Sequence, residues 1–240
     1  MIGKKFTITE CTIQSSKLKK PYTIVQISDL HNCCNRIRRT LLVDSIKILN
    51  PDFIACTGDL FNRKDATQST ETFELLDKII KIAPVFVIKG NHEFALGEVG
   101  ERYLKELEEM GANLLLDNAQ TIQDIKLIGL CEYPDVSLVD SFASDHLFNL
   151  VLSHRPELFE LYSNTKADLV LSGHAHGGQI QVGSKALYAP EQGLFPKYTA
   201  GLYEKNNTKM FVSRGLGDTI LIPRINNPHE LNVIYLIPAE

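Results

Sequence analysis

Five short segments of this 240-residue chain place a metal-ligating or proton-carrying side chain just after an apolar run. Ser28-Asp29-Leu30-His31 follows the run at 23–27, and Thr57-Gly58-Asp59 follows the run that begins at Phe53. Lys89-Gly90-Asn91-His92-Glu93 follows 85–88, Ser153-His154-Arg155 follows 147–152, and Ser172-Gly173-His174-Ala175-His176 follows 169–171. Neutral imidazole together with carboxylate oxygen suits a first-row divalent ion. Asp29 and His31 are two residues apart, so on an extended stretch they point the same way and can grip one ion. His174 and His176 repeat that spacing, and could equally serve two different ions. Gly58, Gly90 and Gly173 stand directly before candidate ligands, where a Cβ would hinder close backbone approach.

Taken singly, an Asp-x-His or a Gly-Asp after a strand is more often a turn or a helix cap. However, five of the seven histidines fall in these segments, in register with strand ends and beside Asp29, Asp59 and Asn91. Ligand sites in open α/β sheets gather outside the carboxyl ends of strands, so the five loops are expected to converge on one site.

The ordered set Asp29-x-His31, Gly58-Asp59, Gly90-Asn91-His92-Glu93, His154 and Gly173-His174-x-His176 resembles the signature of the calcineurin-like metallophosphoesterases. Gly177-Gly178-Gln179 and Ser213-Arg214-Gly215-Leu216-Gly217 resemble its branch of small bacterial phosphodiesterases, which includes UDP-diacylglucosamine pyrophosphohydrolases. The resemblance implies an α/β fold, a four-layer αββα sandwich with two mixed β-sheets. It implies one metal held by Asp29, His31, Asp59 and His176, and a second held by Asp59, Asn91, His154 and His174. The two divalent ions are expected to be manganese, with iron, zinc or nickel as alternatives. In this reading Asp59, Asn91 and His92 are the catalytic set, with a metal-bridging hydroxide as nucleophile and His92 stabilising or protonating the leaving oxygen. Asn91, His92 and Arg214 are the expected substrate contacts.

The expected activity is phosphodiester hydrolysis of a small or lipid-linked phosphate ester. Two alternatives accompany it: a non-catalytic metal-binding scaffold of the same fold, and a UDP-diacylglucosamine pyrophosphohydrolase working at the membrane surface. The scaffold role in this family goes with loss of the motif histidine, and His92 is present. Leu60-Phe61-Asn62-Arg63 lacks the Asp-Arg-Gly continuation of the family's protein phosphatases.

The elements that must position these residues can be read from periodicity. Strands are expected at 23–27, 53–57, 85–88, 114–116, 125–130, 147–152 and 169–171, and later at 179–182, 210–213 and 231–237. Helices are expected at 37–49, 73–82 and 99–110, the last capped by Gly111. Without a linker or repeat, residues 1–240 read as one domain.

Composition narrows the function classes. An apolar fraction of 44% and a charged fraction of 22% are those of a globular protein. A net charge of -4 with no basic stripe argues against nucleic acid as partner. Cys11, Cys33, Cys34, Cys56 and Cys131 form no CxxC pair and read as free thiols, and with no apolar leader the chain is expected in the cytoplasm. No run is long enough to span a membrane, although Lys17, Lys19 and Lys20 allow a modest peripheral contact with anionic lipid. Glu93 reads either as a partner for a ligand's second nitrogen or as a solvated or helix-capping carboxylate. Arg36, Arg38 and Arg39 read as a solvated helix face, and Asp52 as a turn residue. Asn32, Cys33 and Cys34 are expected to line the pocket, with Arg214 and residues 195–203 at its rim. Oligomeric state is not readable from the sequence.

Overall fold

In a computed structural model, which describes residues 6–32, 36–63, 69–183, 185–218 and 223–239, the uninterrupted apolar runs become the central strands. The first half runs β1 (Thr7–Ser15), β2 (Tyr22–Ile27), α1 (Arg36–Leu49), β3 (Phe53–Cys56), α2 (Ser69–Ile80), β4 (Val85–Val87), α3 (Asn91–Ala95), α4 (Glu98–Glu109) and β5 (Asn113–Leu114). Next come β6 (Asn118–Ile122), β7 (Ile125–Gly129), α5 (Leu138–Phe142), β8 (Phe148–Leu152), α6 (Phe159–Tyr162) and β9 (Leu169–Ser172). Two small hairpins follow, β10 (Gln181–Val182) with β11 (Lys185–Ala186) and β12 (Tyr188–Ala189) with β13 (Gly193–Leu194). The chain closes with β14 (Gly201–Lys205), β15 (Thr208–Val212) and β16 (Glu230–Pro238).

Two six-stranded mixed sheets result, ordered β1-β16-β2-β3-β4-β5 and β14-β15-β9-β8-β7-β6. Strands β2, β3, β4 and β5 are mutually parallel, as are β7, β8, β9 and β15. β16 inserts between β1 and β2, parallel to the former and antiparallel to the latter. Parallel strands covered on both faces favour near-continuous apolar residues, which is why β3, and β9 up to Ser172, are apolar and buried.

Three apolar layers hold the sandwich. Ile24, Phe53 and Phe86 of the first sheet meet Leu127, Leu150, Leu169 and Phe211 of the second. The outer face of the first sheet packs on Leu42, Ile46, Leu75, Ile79, Leu104 and Leu107 of α1, α2 and α4. That of the second packs on Val139, Phe159 and Tyr162 of α5 and α6. Each such buried side chain contributes about 1.5–3 kcal/mol. The expected four-layer αββα sandwich is therefore present.

The differences from expectation lie at edges. β6 and β14 carry few buried residues, so their polar sequences give little strand signal. The strand expected at 114–116 ends at Leu114, with Leu115 turned between the sheets. Gln179, expected to begin a strand, instead has φ 55; Ile180 makes an isolated parallel bridge to Ile225, and β10 starts at Gln181.

Candidate metal centre

Each of the five loops leaves the carboxyl end of a central strand: β2, β3 and β4 in one sheet, β8 and β9 in the other. Backbone bonds zip the first two loops together, with Asp29 N–H donating to Gly58 O (3.1 Å) and His31 N–H to Asp59 O (3.0 Å). The last loop crosses from the second sheet, where His174 N–H donates to both Asp29 carboxylate oxygens at 3.1 Å. The glycines make these approaches possible. A Cβ on Gly173 would overlap Ser28 Oγ, and one on Gly90 would overlap the Asp59 carboxylate.

The ligand-bearing turns are backbone-strained. Asp29 (φ 51), His31 (φ 50), Asp59 (φ 54), His174 (φ 67) and His176 (φ 47) all occupy the left-handed region. Such conformations cost of order 1–3 kcal/mol each and persist only where the surroundings over-determine them. Five of the seven candidate ligands share this strain, which aims their side chains into a common space.

In that space the described side chains form three overlapping groups, one of which is His31, Asp59 and His92. Asp29, His31 and His176 present ligand atoms within 4.8 Å of one another, as do Asp59, His154 and His174. His31 Nε2 lies 3.0 Å from His176 Nε2, and His176 Nε2 lies 3.4 Å from Asp29 Oδ1. Asp59 Oδ2 stands between the groups, 3.8 Å from His31 Nε2 and 3.3 Å from His154 Nε2. Asn91 Oδ1 comes within 3.0 Å of His154 Nε2, which is itself 3.2 Å from His174 Nδ1. Imidazole nitrogens with carboxylate and amide oxygens are the donor set of a first-row divalent ion. His92 sits against the same space, with Nε2 3.9 Å from Asp59 Oδ2 and its ring 4.3 Å from that of His31.

Burial keeps three of the imidazoles unprotonated. Burial pushes His31 down to about 3 and holds His174 and His176 well below the usual imidazole range. All three are therefore neutral at pH 7, with lone pairs available. Burial alone would also lower His154, but the adjoining Asp59 overrides it and raises the ring to about 10. Asp59 is correspondingly held well below the usual carboxylate range: burial opposes this, and His154 outweighs it. Asp29, with less compensation, is lifted by burial to about 6. Thr57 O fixes the outer nitrogen of His154 at 2.7 Å.

Other expectations fare differently. Glu93 takes the helix-capping alternative, accepting the N-cap Gly90 N–H from the third position of α3, and is neither solvated nor bound to a histidine. It is 1% exposed and accepts the backbone N–H groups of Asp59, Phe61 and Gly90, tying the second loop to the third. Arg38 is buried rather than solvated and donates to Leu216 O, whereas Arg39 pairs with Glu71 on the surface. Arg214 is ion-paired with the buried Glu230 at 2.8 Å. Its turn does approach the centre, since a Cβ on Gly215 would stand 2.6 Å from Asp29 Cβ. Asn32 is buried and its Oδ1 accepts from Thr72, while Cys33 and Cys34 lie outside the described residues. In the expected rim at 195–203, Phe195 is exposed and Tyr198 is buried against Phe159. Asp52, in the bend before β3, accepts Thr23 N–H of β2 and so ties the two strands, and Lys17 is engaged by Asp168.

Two arginines nearest the ligands were given no role by sequence reasoning. Arg155 Nη1 lies 3.1 Å from His174 Nε2, and Arg155 also pairs with Glu132. Arg224 Nη2 lies 3.2 Å from His176 Nδ1 and donates to Gly217 O at 2.6 Å. Arg155 adjoins a motif histidine in sequence, a usable signal; Arg224 reaches the site only through the fold. Among the described residues, no helix is long and apolar enough to cross a membrane.

Comparison with known proteins agrees with this geometry. The family model for calcineurin-like phosphoesterases matches residues 22–178. The metallophosphoesterase YkuE of Bacillus subtilis (strain 168) is 32% identical over 95% of this chain and 84% of its own length. The phosphodiesterase YaeI of Escherichia coli (strain K12) is 27% identical over 90% of this chain and 83% of its own. In fold, the chain is similar to a dimetal phosphatase from Danio rerio, with a TM-score of 0.54 at 10% identity over 81% of this chain and 87% of that one. Because the match spans every loop of the site from Asp29 to His176, this chain belongs to the calcineurin-like phosphoesterase family and is a metal-dependent phosphoester hydrolase.

Proposed function

We propose that the chain is a dinuclear phosphodiesterase acting on a small or lipid-linked phosphate ester. The observation that carries this reading is the meeting of two ligand groups at the single carboxylate of Asp59. The similarity to a protein named as a phosphodiesterase supports diester over monoester chemistry. Asp29, His31, Asp59 and His176 would hold one ion, and Asp59, Asn91, His154 and His174 the other. Two divalent ions so placed, manganese foremost and iron, zinc or nickel as substitutes, supply Lewis acidity toward the phosphoryl oxygens and an activated water.

The protein's own groups do the rest. Neutral His31, His174 and His176 offer lone pairs, and the strained turns keep them aimed without rearrangement. His92, placed beside Asp59 but outside the two ligand sets, delivers a proton or hydrogen bond to the departing alkoxide. Asn91 lies next to it, at the start of α3, where its amide also meets substrate. Arg214, whose guanidinium is ion-paired with Glu230, is the third substrate contact of this reading. A lipid-linked ester is favoured by exposed Val182, Leu194 and Phe195 in the hairpins that follow the His176 turn.

A panel of phosphodiesters, phosphomonoesters, cyclic nucleotides and nucleotide-diphosphate lipids, each tested with manganese, nickel, zinc and magnesium, tests the reading. Diesters should be cleaved at least tenfold better than matched monoesters, and chelation should abolish turnover. A preference for monoesters would refute the diesterase reading.

A further inference from the structure

Beside the candidate metal centre, two aromatic rings stand in solvent without an apolar core behind them. Phe94 is 49% exposed and Tyr133 is 72% exposed, yet they meet edge to face with centroids 5.1 Å apart. Phe94 belongs to α3, the helix that opens with Asn91 and His92. Tyr133 follows Glu132, which is buried and paired with Arg155. One guanidinium bridges from ring to centre: Arg155 Cζ lies 5.6 Å from the Tyr133 centroid while its Nη1 lies 3.1 Å from His174 Nε2. Arg155 is 6% exposed, so it backs the inner face of the tyrosine and leaves the outer face open. Lys89 Nζ lies 5.3 Å from the Phe94 centroid, adding a second cation beside the pair.

Exposed aromatic rings cost free energy unless they meet a ligand, and a site for phosphate esters supplies one. From this juxtaposition we propose that Phe94 and Tyr133 form a stacking subsite for a planar ring on the substrate's ester group, a nucleobase being the biological instance. The inference deepens the phosphodiesterase reading and rests on it. A π-face accepts any base, because every base has one. A flexible acyl chain would need a continuous apolar trough, whereas these two rings are flanked by Lys89, Glu101, Glu132 and Arg155.

The test measures binding to the full-length, manganese-loaded protein by calorimetry, with adenosine 5′-monophosphate, methyl phosphate and hexyl phosphate as probes. The nucleotide should bind about tenfold tighter than methyl phosphate, near the low end of what one base–aromatic stack contributes. Tyr133→Ala and Phe94→Ala should each shrink that ratio several-fold, with methyl phosphate binding and thermal midpoint unchanged. Tyr133→Phe should keep it. A wild-type ratio near one, or a ratio that survives the double alanine variant, overturns the proposal. So does hexyl phosphate binding as tightly as the nucleotide, because that result indicates apolar contact without stacking. Failure of the diesterase reading itself is read separately, as absent diester turnover while these binding ratios remain measurable.

Discussion

Glutamine at position 93 would exchange one carboxylate oxygen for an NH2 group where three backbone donors converge. Glu93 Oε2 accepts from Asp59 N and Gly90 N, each at 2.9 Å, and Oε1 accepts from Phe61 N at 2.9 Å. Burial, with Asp59 adding, lifts the Glu93 carboxyl to about 7, so the comparison is made at pH 9, where it is ionised. With the amide oxygen kept toward Asp59 and Gly90, both bonds survive but lose their charge assistance, about 0.5–1 kcal/mol each. The NH2 group then faces Phe61 N–H, leaving a buried donor without an acceptor at about 1–3 kcal/mol. The total is about 2–5 kcal/mol, a large share of a typical domain's stability. For a chain of this size, about 3 kcal/mol lowers the thermal midpoint by about 6–12 °C. Because the same carboxylate joins the Asp59 loop to the Asn91 loop, divalent-metal affinity should also fall about 10–100-fold. Thermal melts of chelator-treated Glu93→Gln protein give the first quantity and calorimetric manganese titration the second. A metal-free midpoint within 2 °C of wild type (about 1 kcal/mol by the same scaling), together with unchanged manganese affinity, would refute the reasoning.

Three further outcomes are expected. Gly173→Ala drives a Cβ into Ser28 Oγ and close to Asp29 Oδ2, so the variant should bind less than one equivalent of tight metal by elemental analysis while keeping its far-ultraviolet circular dichroism. His92→Ala should retain two metal ions per chain and lose about 10²–10⁴-fold in kcat, the range for a general acid; a drop to one ion would instead make His92 a ligand. Tyr22→Phe removes a buried phenol that donates to Asp124, costing about 1.5–3 kcal/mol in urea melts at pH 7. Burial, with Asp124 adding, lifts the phenol to about 12 from its ordinary 10.0, so this stability is whole below pH 10 and disappears as pH rises toward 12. Burial would raise Asp124, but Tyr22 and Lys19 N–H override it and lower it below 3.8, so the same stability is also lost in acid below that value. The difference between variant and wild type should therefore be widest between those limits.

Much of the site was legible because its residues are few in type and sit at punctuated places. Asp29, Asp59, Asn91, His154, His174 and His176 each interrupt the chain just after a largely apolar run, and parallel strands send all such interruptions to one edge of their sheet. Apolar runs likewise mark β2, β3, β8 and β9, where burial on both faces leaves room only for polar residues that are themselves hydrogen-bonded, as Gln26 and Asn149 are. The weak edge strands β6 and β14 escaped notice because a half-solvated strand may carry almost any residue.

Local sequence determined which loops bear ligands and, through Gly58, Gly90 and Gly173, where backbones must come close. Tertiary structure alone decided the left-handed turns at five ligands, since nothing local obliges an aspartate or histidine to adopt positive φ. It also decided that Glu93 reaches beyond its own helix cap to the amides of Asp59 and Phe61, that Arg38 is buried, and that Arg224 reaches His176 across 48 positions of chain. These roles depend on which surfaces the two sheets bring together, and pairwise contacts between distant segments leave no periodic trace in sequence.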